Sequence, residues 1–137
     1  MWEKIKMNEL IAFLIPFLIA VESGGNDKVI GDDGKAFGCL QIHEICVKDV
    51  NRIYKTVYTH LDCFDRQKSI EICKLYLSYW GKRYEKRTKK KVTLEVLARI
   101  WNGGPRGDEK AITKKYWLKV EKVISDYTRD DANKEIK

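Results

Sequence analysis

A chain of 137 residues with 44% hydrophobic residues carries enough apolar material for a single packed domain, which excludes a disordered chain and makes a second domain unnecessary. Its net charge of +7 points to an acidic partner, whether cell-wall polymer, nucleic acid or membrane surface. The four cysteines (Cys39, Cys46, Cys63, Cys73) include no CxxC pair, and His43 and His60 stand apart, which argues against a zinc site. Two disulfides or four thiols both remain open, and a core of this size favours thiols.

Residues 2–14 have helical character, with Trp2, Ile5, Leu10, Phe13 and Leu14 as packing positions. Lys4 and Lys6 ahead of an apolar stretch have the outline of a secretory signal, yet no small-residue cleavage site separates that stretch from Glu22. Cleavage after Ala20 would remove the helix that positions Glu22. Residues 11–21 are therefore expected to form a buried core helix, too short and too interrupted by Pro16 to span a bilayer. Pro16 lacks a backbone donor and is expected to kink this helix or to restart it as the first residue of the Glu22 helix. No export route is legible.

The stretch 22–42, ESGGNDKVIGDDGKAFGCLQI, organises the rest. Ser23, Gly24 and Gly25 end the helix and leave Glu22 on its last turn, at the edge of a core. Partial loss of water there raises a carboxyl pKa, as a general acid near neutral pH requires. Asp32 and Asp33 follow in a polar, glycine-punctuated segment where a carboxylate stays ionised. Two carboxyls in contrasting surroundings suit acid/base chemistry on a glycosidic bond. Ser23 has no paired base nearby and is not expected to be a nucleophile. Residues 29–42 should form a short β-hairpin lobe.

Further on, Cys46, Val50, Ile53 and Val57 recur at helical spacing, and residues 58–64 read as a linker. Asp65 is placed to cap a long helix with the seam Ile70, Cys73, Leu77, Trp80 and Tyr84. The basic run at 86–91, KRTKKK, reads as a solvated loop; lacking interleaved aromatics, it does not support nucleic-acid binding. Thr93 can cap a helix through Trp101 that Asn102, Gly103, Gly104 and Pro105 end. A last helix carries Ile112, Tyr116, Val120, Val123 or Ile124, and Tyr127, and the charged residues 128–137 are expected to fray.

Two distant segments narrow the reading. ESGGN…GDDGKAFGCLQI resembles the catalytic segment of the lysozyme superfamily, in which a helix-terminal Glu precedes a small lobe ending in a G-x-x-Q-I strand. ARIWNGGPRG followed by TKKYWLKV looks like the A-R-x-x-N-G-G-P-x-G and T-x-x-Y-W pattern of invertebrate-type, destabilase-like lysozymes. The resemblance spans residues 15–124. It implies a lysozyme-like α+β fold, predominantly helical, formed by 1–137 as one domain. It also implies a muramidase cutting the β-1,4 bond between N-acetylmuramic acid and N-acetylglucosamine in peptidoglycan. By the same resemblance Glu22 is the general acid and Asp32 the second carboxylate, with Asp33 as fallback. Ser23, Gln41, Asn102, Gly103, Gly104 and Tyr116 fall on or beside positions lining that family's cleft. No cofactor or metal is implied, and the protein is expected to be a monomer acting on the bacterial wall rather than an integral membrane protein. This chain departs from the animal enzymes in having few cysteines and Trp101 where a His is common, so it looks like a microbial, viral or phage-type relative. Of Tyr116 and Trp117, one should face the core and the other the cleft, and His43 reads as a surface or helix-start residue. The rivals are a lytic transglycosylase, which uses one carboxyl and leaves an anhydro product, and a non-catalytic wall-binding module.

Overall fold

The computed structural model describes residues 5–136, with side chains through 131. Trp2 therefore lies outside the described residues. The first helix, α1 (Met7–Ser23), is one uninterrupted element with Pro16 inside it, so Pro16 neither starts nor restarts it. The ring is tolerated because Pro16 and Ala12, whose carbonyl loses its helical donor, are both exposed, leaving that oxygen to water. The opposite face buries Ile11, Leu14, Ile15, Leu18 and Ile19, and α1 packs against three further helices. Phe13, expected inside, is exposed and instead packs its ring on Phe17 at 5.2 Å.

After α1 comes a two-stranded antiparallel hairpin, β1 (Ile30–Gly31) and β2 (Ala36–Phe37), with Ile30 opposite Phe37 and Gly31 opposite Ala36. Its turn holds Asp32, Asp33 and Gly34 at φ 51°, 56° and 87°. Aspartate tolerates this left-handed region better than most residues, at a cost of about 1 kcal/mol each. The lobe sits hard against a 3₁₀ turn, His60–Phe64, within the segment expected to be a linker. Gly38, at φ 82°, has no room for a side chain: a Cβ would lie 1.9 Å from the Cys63 carbonyl oxygen. Phe37 stacks on His60 (3.7 Å between centroids) and on Phe64 (4.7 Å). Thr59 and Asp62 close that turn with a reciprocal capping box.

Between lobe and turn runs α2 (Glu44–Tyr54), which Lys55 ends in a left-handed cap. Val57 consequently falls outside the helix and is 91% exposed. Asp65 caps α3 (Arg66–Thr88) by accepting from the Lys68 amide at 3.0 Å. The buried face of α3 is Ile72, Cys73, Tyr76, Leu77, Gly81 and Tyr84, with Ile70 and Trp80 at its margin rather than in the seam. Part of the basic run belongs to this helix: Lys86 and Arg87 occupy its last turn. Thr93 caps α4 (Leu94–Gly103), two residues longer than expected, and α5 (Thr113–Ile136) continues through most of the segment expected to fray. Ile112 precedes α5 and is exposed, while Val120 is fully buried in the core with Leu14, Leu18, Leu77, Leu97 and Ile100. All four cysteines are free thiols, and Cys39, Cys63 and Cys73 are buried. No helix among the described residues is long and apolar enough to cross a membrane.

Candidate active site

The end of α1 opens into a cleft of about 460 Å³ between the β lobe and α4, lined by Glu22, Asp32, Gln41, His43, Trp101 and Asn102, with Tyr76, Gly104 and the apolar Ala36, Ile42, Ile45 and Cys46 completing it. Glu22 stands on the last turn of α1 because Gly24, at φ 64°, closes the helix by donating to the Ala20 carbonyl. Its surroundings do what a general acid needs. Burial against the core pushes its pKa from 4.5 up to about 7, against the opposing pull of a Tyr116 hydrogen bond and the Lys119 charge. The buried Tyr116 of α5 donates its hydroxyl proton to Glu22 Oε2 at 2.8 Å. That bond fixes one oxygen and leaves the other for a substrate. Tyr116 thus acts through Glu22 rather than on the cleft wall, and the adjacent Trp117 packs against the core.

Asp32 faces the same cleft in a different condition. Its side chain is 63% exposed, and His43 Nε2 lies 2.9 Å from its Oδ2. The left-handed backbone at Asp32 is what turns it toward α2, where His43 occupies the position before the first helical residue. Asp33, next in the turn, is exposed and does not line the cleft. Gln41 adopts φ 51° and its amide nitrogen donates to the Val29 and Gly38 carbonyls, at 3.1 and 2.9 Å. Its amide group thereby ties the lobe together, and its oxygen lies where a Cβ on Gly31 would intrude at 2.3 Å. Ser23 bonds within the helix end, donating to the Ile19 carbonyl and accepting from the Gly25 amide.

The NGGP segment closes the opposite wall. Asn102 is exposed in the cleft, and Gly104 (φ 90°, ψ −168°) turns the chain sharply out of α4. Gly103 faces the other way: a Cβ there would lie 2.5 Å from Thr113 Cγ2. Behind it a partly buried polar knot centred on Thr113 holds the loop. Arg99 Nε donates to Thr113 Oγ1 (2.9 Å), Arg99 Nη2 to the Lys110 carbonyl (3.0 Å), and Thr113 Oγ1 to the Gly107 carbonyl (2.6 Å). Gly107 is held so close that a Cβ would come within 2.0 Å of the Arg99 oxygen.

A family model described as the transglycosylase SLT domain matches residues 1–124. The chain belongs to that family. No curated protein and no solved structure matches it. The SLT assignment agrees with the helical body and small antiparallel lobe and makes this a lysozyme-like, peptidoglycan-cleaving domain. It does not extend to the invertebrate-type lysozymes that the NGGP segment resembles.

Within this SLT domain, the structure brings Glu22, Asp32, Gln41, Asn102 and Gly104 to one cleft and leaves Ser23, Asp33, Gly103 and Tyr116 behind or beside it. Tyr76 and Trp101, whose rings meet edge to face at 5.7 Å, add an aromatic wall suited to stacking on a sugar. Tyr76 had no signal in the sequence beyond its place in an amphipathic helix. His43 is a cleft residue that only the fold reveals. Among the described residues no group of three or more His, Cys, Asp or Glu is arranged to hold a metal ion.

Proposed function

We propose that this cleft cuts the β-1,4 bond after N-acetylmuramic acid in peptidoglycan by lytic transglycosylation, with Glu22 as the single acid/base group. One observation carries the reading: Glu22 lines the cleft with its pKa raised toward neutrality by burial, while the Asp32 side chain is 63% exposed and its Oδ2 lies 2.9 Å from His43 Nε2. Protonated Glu22 gives its proton to the bridging oxygen as the C1–O bond breaks, releasing the N-acetylglucosamine side as an alcohol. The positive charge left at C1 is relieved by the sugar's own acetamido oxygen, a substrate-assisted route that needs no protein nucleophile. The Glu22 carboxylate then takes the proton of the same sugar's C6 hydroxyl as that oxygen closes on C1. This restores the acid and leaves a 1,6-anhydro end with no water consumed.

A second reading has its own support. Asp32 shares the cleft with Glu22, and the NGGP resemblance points to a two-carboxylate muramidase in which Asp32 steadies or captures C1 while Glu22 activates water. Product mass separates the two on purified peptidoglycan, because anhydro muropeptides are one water lighter than hydrolysed ones and have no reducing end. Under the proposal, the parent yields anhydro products, Glu22→Gln is inactive, and Asp32→Asn loses roughly tenfold or less. Reducing products together with a loss of about 10³-fold in Asp32→Asn would establish the muramidase instead. No cleavage by the folded parent would leave a wall-binding module. Either catalytic reading places the site of action at the bacterial wall, in the periplasm or outside the cell.

A further inference from the structure

A second groove, of about 510 Å³, lies along α3, walled by Trp80 and Tyr84 and rimmed by Arg83, Lys86, Arg87 and Arg106. The lining residues of the two hollows are neighbours in the chain at two places. Tyr76 lines the first and Trp80, one turn later on α3, lines the second; likewise Gly104 lines the first and Pro105 the second. The walls are rigidly set. Trp80 Nε1 donates to Asp49 Oδ2 at 2.9 Å, and the Arg87 guanidinium lies 5.5 Å over the Tyr84 ring. Arg87 is held by Asp108 (3.0 Å) and Glu109 (2.9 Å), and Arg106 Nε lies 3.2 Å from Glu109. Those two carboxylates leave the rim cationic: Arg83 and Lys86 have no carboxylate partner among the described residues.

We propose that this groove binds the stem peptides of peptidoglycan through their carboxylates, an inference that rests on the peptidoglycan-cleaving reading of the neighbouring cleft. In a peptide-bearing strand the lactyl carboxyl is tied up as the amide that joins the peptide, so the sugars are uncharged and the negative charge hangs on the peptides. The aliphatic side chains and methyl groups of those peptides match an aromatic wall. A peptide branching from a muramic acid seated in the first cleft has a direct path past Gly104 into the second. Arg83 and Lys86 supply exposed cations where the branch would arrive, so the groove selects for cross-linkable, peptide-bearing wall over bare glycan.

Binding to two soluble glycan preparations in the Glu22→Gln background tests this. One preparation carries its stem peptides; the other has been stripped by an amidase and keeps only the lactyl carboxylate. Calorimetry at low salt should show peptide-bearing strands bound about tenfold more tightly. Arg83→Glu with Lys86→Glu should abolish that difference while leaving stripped strands bound as before. Both side chains are exposed, so the core is untouched, and the milder Arg83→Gln with Lys86→Gln should give a smaller change in the same direction. Equal binding of both preparations by the unsubstituted groove, or an equal loss on both in the double variant, overturns the proposal. So does a short DNA duplex that competes with the peptide-bearing strands in an Arg83- and Lys86-dependent way, which would make the groove a general polyanion site. If the parent fails to cleave wall but the peptide-dependent difference persists, the catalytic reading falls and this one stands.

Discussion

Glu22→Gln tests the acid/base reading and the electrostatics behind it in one protein. Burial raises the Glu22 pKa from 4.5 to about 7, so the folded chain holds this proton more tightly than the unfolded chain does. A raised carboxyl pKa gives stability that is fully present below pH 4.5, declines as pH rises toward 7, and is absent above it. At about 1.4 kcal/mol per tenfold change in proton affinity, the ionised carboxylate costs the parent up to about 3 kcal/mol at pH 8. Glutamine cannot ionise, and it keeps an oxygen to accept the Tyr116 hydroxyl. The variant should therefore match the parent near pH 4 and exceed it by up to about 3 kcal/mol at pH 8, roughly 10 °C in Tm for a domain of this size. Thermal melts of both proteins at pH 4, 6 and 8, run beside peptidoglycan turnover, give the answer. Turnover should fall about 10³-fold while the alkaline stability rises. A Tm difference that is the same at pH 4 and pH 8 would refute the desolvation argument, and retained turnover would remove Glu22 from the acid role.

Tyr116→Phe removes a donor that favours ionised Glu22, so the Glu22 pKa should rise above about 7 and the alkaline limb of the pH–rate profile should move upward by about one pH unit; a downward move would contradict the assigned hydrogen bond. Thr113→Val should cost about 2–3 kcal/mol in urea unfolding, because it strips partners from the Gly107 carbonyl and Arg99 Nε inside the NGGP support, and a neutral result would mean water replaces the hydroxyl. Gly38→Ala should destabilise by at least about 3 kcal/mol, since its Cβ would overlap the Cys63 carbonyl and its φ is positive; a variant melting like the parent would show that the lobe can lift off the 3₁₀ turn. With a net charge of +7, activity on intact wall should fall steeply between low and physiological salt, read as initial rate against ionic strength.

How much of this was legible depended on which interactions set each feature. Glu22 could be placed from sequence because a glycine-terminated apolar helix fixes both its position and its dehydration, and both are local properties. The caps at Asp65 and Thr93 were equally local. By contrast, the seam of α3 was displaced toward Ile72 and Tyr76, because which stripe of a long helix is buried depends on where α1 and α4 cross it, and spacing alone does not hold that. The expected restart of the helix at Pro16 failed for a related reason: the proline's cost depends on whether the carbonyl it deprives of a donor faces solvent, which is a tertiary fact. The pairing of Asp32 with His43 joins a strained turn to the start of another helix, and no pattern in the chain announces it.

The NGGP segment shows why a motif can be specific and still mislead about roles. Of its residues, Asn102 and Gly104 reach the cleft, whereas Arg99, Gly103, Gly107 and the later Thr113 form a knot behind it in which a single added carbon is excluded at 2.5 Å or less at two positions. A polar knot with Thr113 and Gly107 buried at its centre tolerates little substitution there, because losing the Thr113 hydroxyl leaves the buried Gly107 carbonyl unpaired. The motif therefore identifies a loop geometry more than a set of substrate contacts. Its consequence for the cleft is indirect: by fixing where α4 ends, it sets Trp101 and Asn102 across from the end of α1, and so sets the width of the cleft that Glu22 lines.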